Sequence, residues 1–167
     1  MKLASEAQAS AAAEAFLDQV VIYRFPNVVG APATHGVILD FIRKLKADPQ
    51  VLHVLGDGTQ QKPYMHVGEL IDAMLTARDK AEPGVSAYNI GPIDAGVTVR
   101  WIAEQVVARV SPGARIEFGR GSKGWVGDVS RFRYSTSRIQ ALGWRPAFGS
   151  QDALTRAIDE IAAQEGV

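Results

Sequence analysis

The sequence contains no cysteine. That excludes disulfide staples and thiolate metal sites, and it suits a reducing compartment, so a cytoplasmic location is expected. It also has no net charge, because eighteen basic residues cancel eighteen acidic ones. A neutral chain generates no field to gather a phosphate backbone or an anionic lipid surface, so neither nucleic acid nor membrane is expected as a partner. No apolar run approaches the ~20 residues of a membrane span. The first residues are alanine-rich, but Glu6 and Glu14 interrupt them, so no secretory signal is expected. The three histidines, His35, His53 and His66, have no metal-ligand spacing, and no GxSxG string stands out.

What is present is an ordinary globular balance, 47% apolar and 22% charged over 167 residues, enough for one domain with a real core. Residues 2–17 are good helix formers. Gln19 to Phe25 carries Val20, Val21, Ile22 and Tyr23 in one run, the pattern of a parallel strand buried on both faces. Pro26, Gly30, Pro32 and Gly36 predict a loop. Val37, Ile38, Phe41, Ile42 and Leu45 follow helical spacing. Val51 to Leu55 predicts a strand ended by the turn Gly56-Asp57-Gly58.

Val67, Leu70, Ile71, Met74 and Leu75 make the cleanest amphipathic helix pattern in the chain. Pro83-Gly84 ends it. Ser86 to Ile90 reads as a strand, Val99 to Val110 as a helix and Ala114 to Phe118 as a strand. A glycine-rich irregular stretch follows over 119–134, then a short helix over Ser135 to Leu142. Ser150 suits the N-cap of a last helix facing the core through Leu154, Ala157, Ile158 and Ile161. The order α-β-α-β-α-β-α-β-α-α predicts the α/β class.

Several residues invite two readings. Gly119-Arg120-Gly121-Ser122-Lys123-Gly124 spells GxGxxG after a strand. A dinucleotide turn must also open a helix, whereas Trp125-Val126-Gly127-Asp128 follows, and the acidic residue due about 20 positions later is missing. No NAD site is therefore expected in this chain alone. Lys2 reads as an exposed lysine, or as the partner that lowers a neighbouring phenol's pKa. Asn27, past a strand end, either supports a turn or meets a ligand. Lys62, Arg120, Lys123, Arg131 and Arg133 are either solvated surface charge or groups converging on a diphosphate. Trp125 and Trp144 either wall a pocket or pack in the core. His66 reads as a packed or hydrogen-bonded histidine at a helix start.

Taken in order, Lys2 to Glu6, RFPNVVG around Asn27, VLGDGTQQKPYMHVGELIDAML from Val54 to Leu75, YNIG from Tyr88, KGWVGDV from Lys123 and STSRIQALGW to Trp144 carry a resemblance. The chain resembles the C-terminal half of extended short-chain dehydrogenase/reductases of the NAD-dependent epimerase/dehydratase family, the UDP-glucose 4-epimerase-like members above all. The resemblance implies late core strands of a Rossmann-type fold plus a substrate-binding lobe, with the dinucleotide-binding half absent. Residues 1–33 and 83–95 would be remnants of the Rossmann core, and 34–82 and 96–167 mostly substrate lobe, in one domain.

It also implies roles. Lys2 would hold the nicotinamide ribose and tune a catalytic tyrosine four residues upstream of it, before the chain begins. Phe25 and Pro26 would lie against the nicotinamide. Asn27 and Lys62 would hold the diphosphate of a nucleotide-diphosphate sugar, Leu55 the base, and Lys123 and Asp128 the substrate end. Lys62 stands for a more frequent arginine, Ser135 for aspartate, and Val29 for the tyrosine of an NVYGP pattern. The expectation is a truncated substrate-binding part of an NAD-dependent UDP-sugar epimerase, inactive alone, and a homo-oligomer or in need of a complementing chain. The competing expectation is a non-catalytic nucleotide-sugar-binding or assembly module.

Overall fold

The computed structural model describes residues 1–121 and 134–167. Its element order is that of the sequence reading, with four additional short strands. Helix α1 spans Lys2–Ala15 and leads into β1, Gln19–Arg24. Strand β2, Asn27–Val29, precedes α2, Val37–Ala47, and β3, Val51–Val54. Two short strands, β4 at Gln61–Lys62 and β5 at Tyr64–His66, lead into α3, Val67–Lys80. Then come β6, Gly84–Asn89; β7, Val97–Thr98; α4, Val99–Val110; and β8, Arg115–Phe118. Helices α5, Ser137–Ala141, and α6, Ser150–Glu165, close the chain.

The strands associate in pairs. β1 lies parallel to β6, β2 to β5 and β3 to β8, while β4 and β7 are antiparallel. Helices join the parallel partners, as parallel pairing requires. Two cores result. Ile38, Phe41, Ile42 and Leu45 of α2 pack with Ile102 and Val106 of α4 and Leu154, Ile158 and Ile161 of α6 over Leu52 and Val54 of β3. Leu70, Ala73 and Ala77 of α3 pack with Tyr88, Ile90, Ile139 and Trp144. β2 and β5 form the seam between the two. Tyr64 and Val29 face the first core and their neighbours Met65 and Val28 face the second, the period-two alternation of a strand.

Four expectations need correction. Asn27 is the first residue of β2, paired opposite Tyr64, and does not lie on a loop; three residues with no alternating pattern are too short to signal a strand. β1 is only half-buried, because β6 is its one strand partner among the described residues. On α3, Ile71 and Leu75 are exposed, and the buried stripe runs through Leu70, Ala73 and Ala77; small residues let the helix approach the sheet closely. Ser150 is not the cap of α6 but its first residue, after Gly149. Its hydroxyl is buried, donating to Asp94 at 2.6 Å and accepting the Tyr64 N–H at 3.1 Å.

Candidate functional site

The carboxyl ends of β1 and β6 lie side by side, and the Ile90 N–H bonds the Arg24 carbonyl at 2.8 Å just past the paired residues. Arg24, Phe25, Pro26, Asn89, Ile90 and Tyr134 line a cleft of about 150 Å³ there. Ligands of open parallel sheets bind at such strand ends. The cleft floor is tight. A Cβ on Gly91 would sit 2.1 Å from the Tyr134 hydroxyl oxygen, so only glycine lets the ring lie there. Tyr134 donates to the Pro92 carbonyl at 3.2 Å. Burial, followed by the nearby Asp94 carboxylate, pushes its phenol up to about 12. At neutral pH it is a protonated donor and not a base.

Arg24 is committed to structure. Its Nε donates to Glu6 at 2.9 Å, and a second guanidinium nitrogen meets the other carboxylate oxygen. The same hydrogen bond holds Glu6 below the usual carboxylate range. Lys2 is exposed and lies four residues before Glu6, on the same helical face. The Glu6–Arg24 pair thus ties that end of α1 to the end of β1 that carries Phe25 and Pro26. Phe25 is 49% exposed.

Asn27 is exposed at the head of β2, directly after the cleft residues. Half-buried Lys62 pairs with Val97 and lies two residues before Tyr64, the register partner of Asn27. The strand pairing therefore brings Phe25, Pro26, Asn27 and Lys62 into one region. Leu55 stands apart from it, at the end of β3, and is 69% exposed. The turn after Leu55 is pinned from several sides. Asp57 accepts from the Thr59 N–H at 2.9 Å and the Thr59 hydroxyl at 2.6 Å. The Arg100 guanidinium lies 3.8 Å over the Phe118 ring and donates to the Asp57 carbonyl at 3.1 Å.

The described part of the GxGxxG string, Gly119 to Gly121, serves that turn. The Gly119 N–H bonds the Val54 carbonyl, and the Gly121 carbonyl accepts the Asp57 N–H. Among the described residues no glycine-rich turn between a strand and a helix N-terminus forms a pyrophosphate cradle. Phe25 and Pro26 give the cleft an apolar wall. Lys123 and Asp128, with Trp125, Arg131 and Arg133, lie outside the described residues. Trp144 is core, 5% exposed, with its indole N–H on Asp72 at 3.0 Å. No group of residues suited to a metal ion occurs among the described residues, and no described helix is long and apolar enough to cross a membrane.

Sequence reasoning missed Asn89 and Tyr134. Asn89 ends a strand as Asn27 adjoins one, and that position was the available signal; its amide donates to the Ser135 carbonyl at 3.0 Å. Tyr134 has no local signal in the sequence at all.

Parallel strand pairs joined by helices, with a cleft at their carboxyl ends, define an α/β protein of the Rossmann-like kind. The model of the NAD dependent epimerase/dehydratase family matches residues 1–91, so the chain belongs to that family. A crystal structure of a UDP-galactose 4-epimerase superposes with a TM-score of 0.82 at 33% identity, covering 98% of this chain and 52% of that one. UDP-glucose 4-epimerase of Thermus thermophilus, in complex with NAD, gives 0.72 at 28% identity over 99% of this chain and 53% of its own. Mouse (Mus musculus) dTDP-D-glucose 4,6-dehydratase is 26% identical over 169 residues, covering 92% of this chain and 46% of that protein. The chain spans about half the length of the curated relatives it matches.

Proposed function

We propose that this chain supplies the substrate side of an NAD-dependent epimerase acting on a UDP-sugar, and that it is inactive by itself. The observation that carries the reading is a cleft at the carboxyl ends of β1 and β6 lined by Phe25 and Pro26, with Asn27 directly after them at the head of β2 and Lys62 two residues before the register partner of Asn27. An apolar shelf followed at once by a neutral donor and a nearby cation suits a nicotinamide ring next to a diphosphate sugar. Lys123 and Asp128 would complete the substrate end, and Leu55 would meet the base.

In this reading Phe25 and Pro26 exclude water from one face of the nicotinamide. Asn27 donates its amide to a diphosphate oxygen, and Lys62 supplies a point charge. Lys2, on the α1 face tied down through Glu6, would lower the pKa of a catalytic phenol brought by a complementing segment. Bound NAD would supply reversible hydride transfer. Its diphosphate needs a cradle that the described residues do not form.

Isothermal titration tests both halves of the reading. UDP-glucose should give saturable heat at one site per chain, and Asn27→Ala should weaken it about tenfold, the loss of one hydrogen bond to a charged group. NAD should give no saturable heat at millimolar ligand. Absent UDP-glucose binding, or an unchanged affinity in Asn27→Ala, overturns the substrate site; micromolar NAD binding overturns the proposed inactivity.

A further inference from the structure

The strand that carries Asn27 is short. β2 has three residues, Asn27–Val29, and a one-residue slip in its register would turn each side chain to the opposite face. Its far end is moored by a helix from the other end of the chain. Glu160 of α6 accepts two hydrogen bonds on one carboxylate oxygen, from His66 Nε2 at 3.0 Å and from the Ala31 N–H at 3.2 Å. Its other oxygen accepts from Arg156 Nε at 2.9 Å. His66 is the last residue of β5 and the register partner of Val29, and Ala31 lies two residues beyond Val29. One carboxylate therefore grips both strands of the pair.

The donor roles follow from the geometry. His66 Nδ1 accepts the Gly68 N–H at 3.1 Å, so the ring proton is on Nε2 and points at Glu160. The ring is 5% exposed as part of its residue. Gly30 seals the contact: a Cβ there would meet Val67 Cγ1 at 2.7 Å and His66 Nε2 at 3.1 Å. One turn along α6, Gln164 accepts the Ala33 N–H at 2.7 Å and donates to the Ala33 carbonyl at 2.9 Å. Desolvation opposes ionisation of Glu160, yet the hydrogen bonds from His66, Arg156 and Ala31 prevail and hold its carboxyl down at about 2.

We propose that Glu160, acting through His66 and the Ala31 amide, is a positioning residue that sets the register of β2 and so the place of Asn27 at the nucleotide-sugar site. The proposal rests on the site reading above. No ligand contact is asked of Glu160. Its carboxylate holds the exit of β2 still, and the entrance of the same strand carries the amide that meets the diphosphate. A side chain remote in sequence thereby tunes affinity for a nucleoside diphosphate group.

The test titrates UDP-glucose into wild type, Glu160→Gln, Glu160→Ala, Asn27→Ala and the Asn27→Ala/Glu160→Ala double variant. Thermal melts and the Asn27 side-chain amide signals in ¹⁵N–¹H spectra are recorded in parallel. Glu160→Ala should weaken binding about fivefold, within the coupling usual for residues of one network. Glu160→Gln, which keeps one acceptor oxygen, should recover part of that loss and guards against a misfolded alanine variant. The double variant should bind no worse than Asn27→Ala alone. The Asn27 amide signals should move in Glu160→Gln before any ligand is added. Equal affinity in wild type and both Glu160 variants, or additive losses with unmoved Asn27 signals, overturns the positioning role and leaves the site reading standing. No binding by wild type overturns both.

Discussion

At the residue scale the polar interior is almost fully accounted for, and the exception is informative. The buried side chains of His66, Thr136 and Ser150 each meet a named partner. Gln60 is 2% exposed, and both its amide nitrogen and its amide oxygen lack a hydrogen bond among the described residues. A buried polar group left unpaired costs roughly 1–3 kcal/mol. Its backbone has a clear task, since its carbonyl accepts the Val99 N–H at the start of α4. Gln60→Met keeps that carbonyl, roughly conserves volume and removes the orphan amide. It should raise stability by about 1 kcal/mol, or roughly 2–4 °C in melting temperature for a chain of this size. A calorimetric melt that falls by several degrees would mean that the amide is satisfied in solution. His66 was legible as a bonded histidine at a helix start. Its Glu160 partner was not, because 94 residues separate the two.

At the element scale the helices divide by what they cover. α2 buries five side chains and α6 seven, whereas α1 buries none. α1 is helical because alanine and glutamate favour helix locally. Its links to the rest of the chain include the Glu6–Arg24 pair, and Leu3 and Phe16 stand out in solvent at 78% and 77% exposure. A helix of 14 residues with so little packing is marginal in water. Hydrogen exchange followed by mass spectrometry should find the α1 amides exchanging orders of magnitude faster than those of α2 and α6, near the fraying end of the local-opening scale. Comparable protection in all three would show α1 to be covered in solution by something that packs on its apolar residues. α3 gives the complementary case: its apolar periodicity was plain in sequence, yet Ile71 and Leu75 are left outside at 48% and 44%.

At the scale of the whole molecule these exposures lie on neighbouring elements. β1 has one strand partner among the described residues, so its other edge presents unpaired backbone groups beside half-buried Val20, Val21 and Ile22. α1 packs on β1 and β6, and α3 packs on β1, so Leu3, Phe16, Ile71, Leu75 and Val85 extend the uncovered apolar surface around that strand pair. A neutral chain offers no charge repulsion against association. The isolated chain should therefore be marginally stable and self-associate, or bind a segment that completes the sheet beyond β1. Size-exclusion chromatography with light scattering at several concentrations should give a mass that rises with concentration. A concentration-independent monomer with a cooperative melt above about 60 °C would refute this, since it would reach the upper part of the range of mesophilic domains.

The sequence by itself determined the alternation of helices and strands, because those follow from local period and composition. The apolar stripe of α2, the β-branched run of β1 and the glycine turn after β3 each needed only neighbours within about a dozen residues. It also carried the family, through short strings whose order matters more than any one of them. Only the tertiary structure decided how the pieces meet. β2 and β5 exist as strands because each supplies the other's hydrogen bonds, and three residues have no period of their own to announce it. The pairing that gathers Phe25, Pro26, Asn27 and Lys62, the Tyr134 ring over Gly91 and the Glu160 clamp all join residues far apart in the chain. Such contacts come from the closing of the two cores around the β2–β5 seam, and no local pattern encodes them.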